Sequence, residues 1–236
     1  MNFQRTPAQI KAQELAVYLR NENPDYNYLR SLFKYLCQEL RLQSPSTSQH
    51  SRDMTIPTSE EIQRYYQSIE NNSTVQERVI LKTLLYTGIR LGELVNIQLT
   101  DIDFDSHQIL IRSERGQDRI VLFPVNFKDL LTMQADRMSQ QQATYLFESP
   151  QHQKYCVEQV RFILKRVVQK SGFNPLINPY KIRNFLINWF HKKGVDNAFI
   201  QYFFGFSIQQ SLTFDSPPSL QEIQEIYNRA MTDFPV

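Results

Sequence analysis

The sequence predicts a mainly α-helical protein with one small antiparallel β-sheet, a fold of the α+β class. Apolar residues at intervals of three and four, as in Tyr28, Leu32, Tyr35 and Leu36, are typical of amphipathic helices. Residues 102–124 instead contain two β-rich runs around a polar turn. Hydrophobic residues make up 41% of the 236 residues, which suffices for a packed core in a chain of this length.

Two helices and a linker are predicted at the N-terminus. The helical runs are Ala8–Leu19 and Tyr26–Leu42. The stretch Gln43–Ser51 is polar and offers no apolar residue to bury, so its composition is that of a linker. We therefore expect a short helical segment over residues 1–43, a linker over 44–56 and a larger domain over 57–236.

The larger domain is predicted to begin with two helices. Thr58 is expected to cap the first helix, and Glu61, three residues later, completes the pattern of a capping box. The second helix runs from about Val75 to Thr87 and stops at Gly88.

A β-hairpin and five further helices are predicted beyond Gly88. The hairpin strands are Gln108–Arg112 and Arg119–Phe123, on either side of the polar turn. The later helical segments follow from their apolar periodicity. They are Asn126–Met138, Val157–Gln169, Pro179–Lys193, Ala198–Phe204 and Ser219–Met231.

Positive charge is concentrated in one part of the chain. The net charge is only +2, but the region from Gln151 to Lys193 has many basic residues and one acidic residue, Glu158. This asymmetry suits contacts to a nucleic-acid backbone, where each neutralised phosphate releases counterions. The alternative is a solvated helix face. The candidate DNA-contacting residues are Lys154, Arg161, Lys165, Arg166, Lys181, Lys192 and Lys193.

Several classes of protein are not indicated. No apolar run is long enough to span a membrane, and the N-terminus lacks the hydrophobic stretch of a signal peptide, so a cytoplasmic protein is expected. Cys37 and Cys156 are too few and too isolated for a disulfide framework or a zinc site, which predicts two reduced cysteines. No motif predicts a metal site or a cofactor.

Two arginine motifs indicate the chemistry. Arg90 and Glu93 are three residues apart in a segment expected to be helical, so the carboxylate is predicted to orient the guanidinium. Tyr180 and Arg183 have the same spacing. Two arginines that converge on one phosphate would bind its nonbridging oxygens and stabilise the charge that develops in phosphoryl transfer. An Arg-x-x-Glu pair alone is more often a surface ion pair.

The ordered set of motifs is more specific than either pair. Thr87–Leu94 reads Thr-Gly-Ile-Arg-Leu-Gly-Glu-Leu, and it precedes Asp101–Asp103, the hairpin, and Asn-Pro-Tyr-Lys-Ile-Arg at Asn178–Arg183. Over roughly Thr58 to Tyr227, this pattern resembles the tyrosine recombinases, the phage-integrase and Xer group that cut and rejoin DNA. The resemblance implies a helical catalytic domain with a three-stranded sheet. It also implies an N-terminal helical domain that completes a clamp on DNA, usually with four helices where this chain predicts two.

The resemblance assigns roles to the residues of the two arginine boxes. Arg90 and Arg183 match the two catalytic arginines, and Glu93 matches the acidic residue that supports the first. Tyr180 takes the position of a histidine and keeps a hydroxyl that can donate a hydrogen bond to phosphate.

The family's lysine lies in the turn of the hairpin, where this chain differs. An ungapped match puts Glu114 at the lysine, and a one-residue gap puts Arg115 there. Neither reproduces a lysine that donates a proton to the leaving hydroxyl, because an arginine essentially never gives up its proton.

The last motifs depart furthest from the family pattern. Phe206 stands where the family has the histidine of Leu-Gly-His, and its ring has no polar atom. Phe214 falls at the nucleophilic tyrosine, with Asp215 the next match if the gap is shifted. A phenyl ring cannot attack phosphorus, so a covalent phosphotyrosyl intermediate is not expected at this position.

The sequence therefore predicts a cytoplasmic, nucleoid-associated DNA-binding protein with the tyrosine recombinase fold that does not cleave DNA. It would be a regulator or a noncatalytic partner in recombination, integration or replication. Arg90, Arg183 and Arg115 would hold one backbone phosphate of double-stranded DNA, and the partners on DNA would be further copies or a recombinase. One alternative is an active recombinase that uses Tyr227 or Tyr202 as a displaced nucleophile. The other is a protein-interaction module that no longer binds DNA.

Overall fold

The computed structural model describes residues 7–20, 25–40, 56–113, 118–149, 151–170, 177–206 and 219–236. The chain divides into two compact units, Met1–Met54 and Thr55–Val236. The linker predicted over residues 44–56 lies outside the described residues except for Ile56.

The described residues form ten α-helices, one short 3-10 helix and three β-strands. The first unit contributes α1 (Pro7–Leu19) and α2 (Tyr26–Glu39). The second unit contributes α3 (Ser59–Asn72), α4 (Val75–Thr87), α5 (Leu91–Leu94), the 3-10 helix (Leu99–Asp101), β1 (Ile102–Asp103), β2 (Gln108–Ile111), β3 (Arg119–Leu122), α6 (Val125–Gln140), α7 (Val157–Lys170), α8 (Pro179–Lys192), α9 (Asn197–Phe204) and α10 (Leu220–Met231). The predicted α+β class is confirmed.

Helix α4 lies at the centre of the second unit. From Val79 to Thr87 it is buried on every side, as expected of a helix that is apolar around most of its circumference. Helices α3, α6, α7 and α8 pack against it. The ends of α3 and α4 are determined locally, since Thr58 with Glu61 forms the predicted capping box before α3, and Gly88 ends α4 in the left-handed conformation at φ 59°.

The sheet has the order β1-β2-β3, and both pairs of strands are antiparallel. Ile109 pairs with Val121, and both are fully buried. The hairpin predicted from sequence is β2 and β3. Strand β1 has only two residues, Ile102 and Asp103, and too short a pattern to be recognised from sequence, but it completes the three-stranded sheet that the family resemblance implied.

The C-terminal helix α10 packs into the core of its own unit. Ile223, Tyr227 and Ala230 are buried. Trp189 on α8 donates a hydrogen bond from Nε1 to the carbonyl of Ala230 at 2.7 Å, and its ring contacts the ring of Phe234. Trp189 therefore has a packing role. No helix among the described residues is long and apolar enough to cross a membrane.

Candidate functional site

Arg90 is positioned by the sharp turn that ends α4. Gly88 adopts the left-handed conformation, and Arg90 is the extended N-cap residue of α5, at φ −75° and ψ 152°. The prediction that Arg90 and Glu93 share the face of one helix was therefore wrong in detail, because the turn at Gly88 places Arg90 before the helix rather than within it. The two side chains still meet, with Arg90 Nη1 donating to Glu93 Oε1 at 3.0 Å. The backbone N–H of Arg90 also donates to Glu93 Oε2 at 2.7 Å.

Glu93 is shared with a second arginine, Arg119, which the sequence reasoning did not include among the site residues. Arg119 begins β3 and is only 4% exposed. Its Nη1 and Nη2 donate to Glu93 Oε1 and Oε2 at 2.9 and 3.0 Å, a bidentate pair. Burial by itself raises the pKa of the Glu93 carboxyl. The hydrogen bond and charge of Arg119, and then the contacts with Arg90, outweigh burial and hold that pKa below its ordinary value.

Three arginines converge on the C-terminal end of α9. Arg119 Nε donates to the carbonyl of Phe203 at 2.9 Å, Arg183 Nη2 donates to the carbonyl of Phe204, and Arg90 Nη2 donates to the carbonyl of Gly205 at 2.8 Å. The last carbonyls of a helix lack partners within the helix and carry its partial negative charge, so cations are favoured there. The end of α9 therefore gathers the three guanidinium groups in one place.

Arg183 is the most enclosed of these groups after Arg119. It is 8% exposed, and its Nη1 donates to the carbonyl of Gly88 at 2.6 Å, which connects the end of α4 to the end of α9. Its Cζ lies 5.1 Å from the ring centroid of Phe204 and 5.2 Å from that of Phe206. Burial, and then the positive charge of Arg90, lowers the pKa of Arg183 to about 10. The group therefore stays charged at neutral pH.

Two glycines are needed for this arrangement. A Cβ on Gly88 would lie 2.5 Å from Cε1 of Phe204, and a Cβ on Gly205 would lie 2.7 Å from Nη1 of Arg119. Both glycines also have positive φ, at 59° and 60°, which favours glycine on backbone grounds. The end of α4 can therefore approach Phe204, and the end of α9 can approach Arg119, only because these two positions carry no side chain.

The other sequence-predicted site residues differ in their placement. Tyr180 lies in the first turn of α8, one turn before Arg183, and is exposed. Phe206 follows α9 and is 42% exposed, with its ring over the Arg183 guanidinium. Glu114 and Arg115, the two candidates for the lysine position, and Phe214, at the position of the nucleophile, lie outside the described residues.

The alternative nucleophiles Tyr227 and Tyr202 both take part in packing. Tyr227 is 1% exposed, and its hydroxyl donates to the carbonyl of Tyr86 at 3.2 Å. Burial, and then the neighbouring Tyr86, raises the pKa of Tyr227 well above its ordinary value, which disfavours the phenolate. The hydroxyl of Tyr202 accepts a hydrogen bond from the backbone N–H of Ile120 at 3.3 Å. Both hydroxyls are therefore bonded to backbone groups of the core.

The candidate DNA-contacting residues fall into two groups. Four already have partners within the chain: Lys154 contacts Asn96, Arg161 contacts Glu158, Arg166 contacts Glu77, and Lys193 contacts Asp233. Lys165 and Lys192 are exposed, and Lys181 is half-buried. They belong to α7 and α8, so the basic region consists of separate helix faces. Within the described ranges, no group of three or more His, Cys, Asp and Glu side chains could hold a metal ion.

The strand periodicity contained a signal for Arg119. Successive residues of a strand point to opposite faces, so Arg119 must share the face of Val121, which is buried. An arginine at such a position requires a carboxylate or carbonyl partner. Sequence alone could have placed Arg119 on the buried face, but it could not have selected Glu93 as the partner.

The family of this chain follows from a comparison that covers most of the second unit. A model of the phage integrase family matches residues 57–213. The chain belongs to the phage integrase family. It has the tyrosine recombinase fold, and the resemblance inferred from the arginine boxes is confirmed at the level of the family.

Among curated proteins, this integrase-family chain is similar to tyrosine recombinases. It is 28% identical over 192 residues to the tyrosine recombinase XerC of Listeria monocytogenes, with 75% of this chain and 64% of that protein covered. It is 29% identical over 153 residues to the tyrosine recombinase XerA of Thermococcus kodakarensis, with 64% of this chain and 53% of that protein covered. The chain thus spans less than two thirds of the length of these relatives.

Solved structures of recombinases share the fold. A crystal structure of XerA recombinase superimposes with a TM-score of 0.57 at 20% identity and covers 97% of this chain and 91% of its own. A XerH site-specific recombinase bound to its difH substrate, in a pre-cleavage complex, superimposes with a TM-score of 0.58 at 18% identity, covering 73% and 54%.

Proposed function

We propose that the chain binds double-stranded DNA through the arginine cluster and does not cleave it. The observation that carries this proposal is the gathering of the Arg90, Arg119 and Arg183 guanidinium groups at the end of α9. Within the part of the chain that the structure describes, the carboxylate bonded to Arg90 and Arg119 is that of Glu93, whose charge also acts on Arg183. The cluster therefore has an excess of positive charge, although Arg119 and Arg183 are almost fully buried. A backbone phosphate is an anion of suitable geometry to balance it.

Arg90 is the group that would contact the phosphate first. Its side chain is 49% exposed, whereas Arg119 and Arg183 lie beneath the surface. The hydrogen bonds to Glu93 and to the carbonyl of Gly205 use only part of the donor set of its guanidinium, so further N–H groups are available for phosphate oxygens. The buried Arg183 would attract the phosphate through its positive charge, and Arg115, in the hairpin turn, would be a further contact. Lys165, Lys192 and the other basic residues of α7 and α8 would contact neighbouring phosphates.

The absence of cleavage rests on the groups that the reaction needs. Phe214 stands at the position of the nucleophile in the family pattern, and a phenyl ring cannot form a phosphotyrosyl bond. Phe206 replaces a hydrogen-bond donor to the phosphate. Tyr227 is buried and bonded to a backbone carbonyl, which argues against a displaced nucleophile. A regulator, or a noncatalytic partner in recombination, integration or replication, fits this set of groups.

The relatives support the choice of partner. The similar XerH structure is bound to its DNA substrate, and a lambda integrase that shares the fold forms a tetramer on a Holliday junction. By analogy, the partners of this chain would be double-stranded DNA and further copies or a recombinase on that DNA. Residues 57–236 would be the DNA-binding domain and residues 1–43 a separate helical segment, and the protein would act at the nucleoid in the cytoplasm.

The proposal is tested by fluorescence anisotropy with a labelled mixed-sequence DNA duplex at several salt concentrations. We expect binding that weakens steeply with salt, because phosphate contacts release counterions. Replacing Arg90 by Ala should weaken binding about tenfold, the order expected when a charged group that contacts a partner is removed. Arg137→Ala, an exposed arginine on α6, is the matched control and should bind like the wild type.

Two outcomes would contradict the proposal. Wild-type protein without affinity for duplex DNA at low salt would exclude DNA binding and favour a protein-interaction module. A covalent protein-DNA adduct on a nicked suicide substrate would show that the chain cleaves DNA, and its loss in Tyr227→Phe or Tyr202→Phe would identify the nucleophile. We expect binding to the suicide substrate without an adduct.

A further inference from the structure

We infer that Arg119 is a positioning residue that neutralises Glu93 and thereby leaves the charge of Arg90 free for the DNA phosphate. This inference rests on the proposed function, because it concerns how the same site becomes able to bind an anion. It assigns to Arg119 an effect on DNA affinity although the residue itself is too deeply buried to touch DNA.

Glu93 accepts more guanidinium hydrogen bonds from Arg119 than from Arg90. Arg119 donates to both carboxylate oxygens, at 2.9 and 3.0 Å. The Arg90 guanidinium donates to Oε1 alone, while Oε2 accepts from the Arg90 backbone. A bidentate pair is stronger and more directional than a single contact. Glu93 is therefore bound primarily to Arg119.

Burial strengthens this division. Arg119 is 4% exposed and the Glu93 side chain 12%, whereas about half of the Arg90 side chain is exposed at 49%. Charges interact more strongly where water is excluded, and an exposed ion pair is weakened by solvent screening. One carboxylate can balance one guanidinium, and the buried Arg119 is the partner that it balances best. Arg90 then keeps most of its positive charge at the surface.

The position of Arg119 is itself fixed from two further sides. Its Nε donates to the carbonyl of Phe203, and Gly205 packs directly against its guanidinium. Since β3 supplies its backbone, Arg119 cannot leave Glu93 without breaking contacts with α9. If Arg119 were neutral, Arg90 would be the guanidinium still hydrogen-bonded to Glu93, with the charge of Arg183 nearby. Glu93 would then cancel much of the Arg90 charge that the phosphate needs.

A charge-rescue experiment on the full chain tests this inference. Wild type, Arg119→Gln, Glu93→Gln and the double variant are compared by fluorescence anisotropy with the same mixed-sequence duplex. We expect Arg119→Gln to weaken binding about tenfold, within the range of coupling between contacting groups. Adding Glu93→Gln should restore affinity to within about threefold of the wild type, because no carboxylate then opposes Arg90.

The pH dependence gives a second readout that a structural role alone would not produce. Without Arg119, the Glu93 carboxyl loses its strongest stabilising partner, so its pKa should rise. As pH falls through that raised pKa, Glu93 becomes neutral and Arg90 is released. The affinity of Arg119→Gln for DNA should therefore increase at mildly acidic pH, relative to the wild type measured under the same conditions, and this increase should disappear in the double variant.

The outcomes separate the inference from the proposed function. If wild type binds DNA but the double variant is as weak as Arg119→Gln, or if Arg119→Gln binds like the wild type, the inference is wrong and the proposed function stands. If wild type does not bind, both are wrong. Thermal unfolding verifies that each variant is folded. Should Arg119→Gln fail to fold, Arg119→Lys takes its place with the opposite expectation, because a lysine keeps the charge that neutralises Glu93 although it cannot hold both carboxylate oxygens. Its affinity should lie within about threefold of the wild type, and a loss of about tenfold would contradict the inference.

Discussion

The Arg90 box and the Phe204–Phe206 motif meet in space, but they compare differently with the family pattern inferred from the sequence. In that comparison Arg90 and Glu93 match the expected residues, whereas Phe206 has a phenyl ring where a hydrogen-bonding group is expected. In the structure, Arg90, Arg119 and Arg183 each donate to a carbonyl at the end of α9, so the three arginines support the fold. The ring of Phe206 has no polar atom and makes no such hydrogen bond. The arginines should therefore contribute to stability as well as to the proposed binding of phosphate, whereas Phe206 should contribute little to stability.

This comparison makes stability and DNA affinity separable at neighbouring residues. Arg183, whose donors are taken by buried carbonyls, should affect chiefly the free energy of unfolding, and exposed members should affect chiefly the binding of DNA. Arg119 is buried as well, but we infer that it acts on DNA binding through Glu93. Arg183 and Phe206 are in contact with one another, and they are the buried and the exposed examples of this contrast.

The largest effect on stability is expected for Arg183→Ala. Its guanidinium donates to the carbonyls of Gly88 and Phe204, and the substitution would leave both carbonyls buried without that donor. Charged hydrogen bonds of this kind suggest a loss of about 3 kcal/mol in the free energy of unfolding. Urea denaturation measures it, with Arg90→Ala as the comparison. A loss for Arg183→Ala no larger than that for the half-exposed Arg90 would contradict a structural role for the buried arginine.

A smaller loss is expected for Gly88→Ala. The added Cβ would meet the ring of Phe204 at 2.5 Å, and alanine would have to adopt φ near 59°. The left-handed backbone conformation alone costs an alanine about 1–2 kcal/mol in the free energy of unfolding. Gly92→Ala is the matched control, because no atom lies within 4 Å of its added Cβ. Thermal melts should show a lower melting temperature for Gly88→Ala and no loss for Gly92→Ala; equal melting temperatures would mean that the two helix ends can separate at little cost.

Features determined by neighbouring residues were predictable from the sequence. The capping box of Thr58 and Glu61 and the stop at Gly88 depend on residues within a few positions, and both are present. The hairpin followed from alternation in β2 and β3. In the second unit the helix bounds differ from the predictions by at most two residues, as in α6, which ends at Gln140 rather than Met138. The prediction that α2 reaches Leu42 was wrong, because the helix ends at Glu39.

Features determined by distant partners were not predictable. Arg119 meets Glu93 across 26 positions of sequence, and Arg183 meets Gly88 across 95. Nothing in the local pattern of β3 identifies which carboxylate balances a buried arginine. Lys193 likewise pairs with Asp233, 40 positions away. Counting basic residues along the sequence did not reveal this partner, so the count overstated the number of basic side chains without a partner in the chain. The sequence thus indicated Arg90, Glu93 and Arg183 as site residues, but neither Arg119 nor the contacts that join these side chains.

The smallest effect on stability, and the most informative one for function, is expected for Phe206→Ala. The ring is 42% exposed and covers one side of the Arg183 guanidinium, an arrangement that contributes about 0.5–1 kcal/mol at exposed sites. Its removal opens Arg183 to an incoming phosphate, so DNA affinity measured by anisotropy should increase while the melting temperature changes little. Phe204→Ala is the contrasting control, because that ring is fully buried and its loss should cost about 3–5 kcal/mol. If Phe206→Ala weakens DNA binding instead, the ring contributes to the DNA contact, and the replacement of histidine by phenylalanine has preserved part of the binding surface.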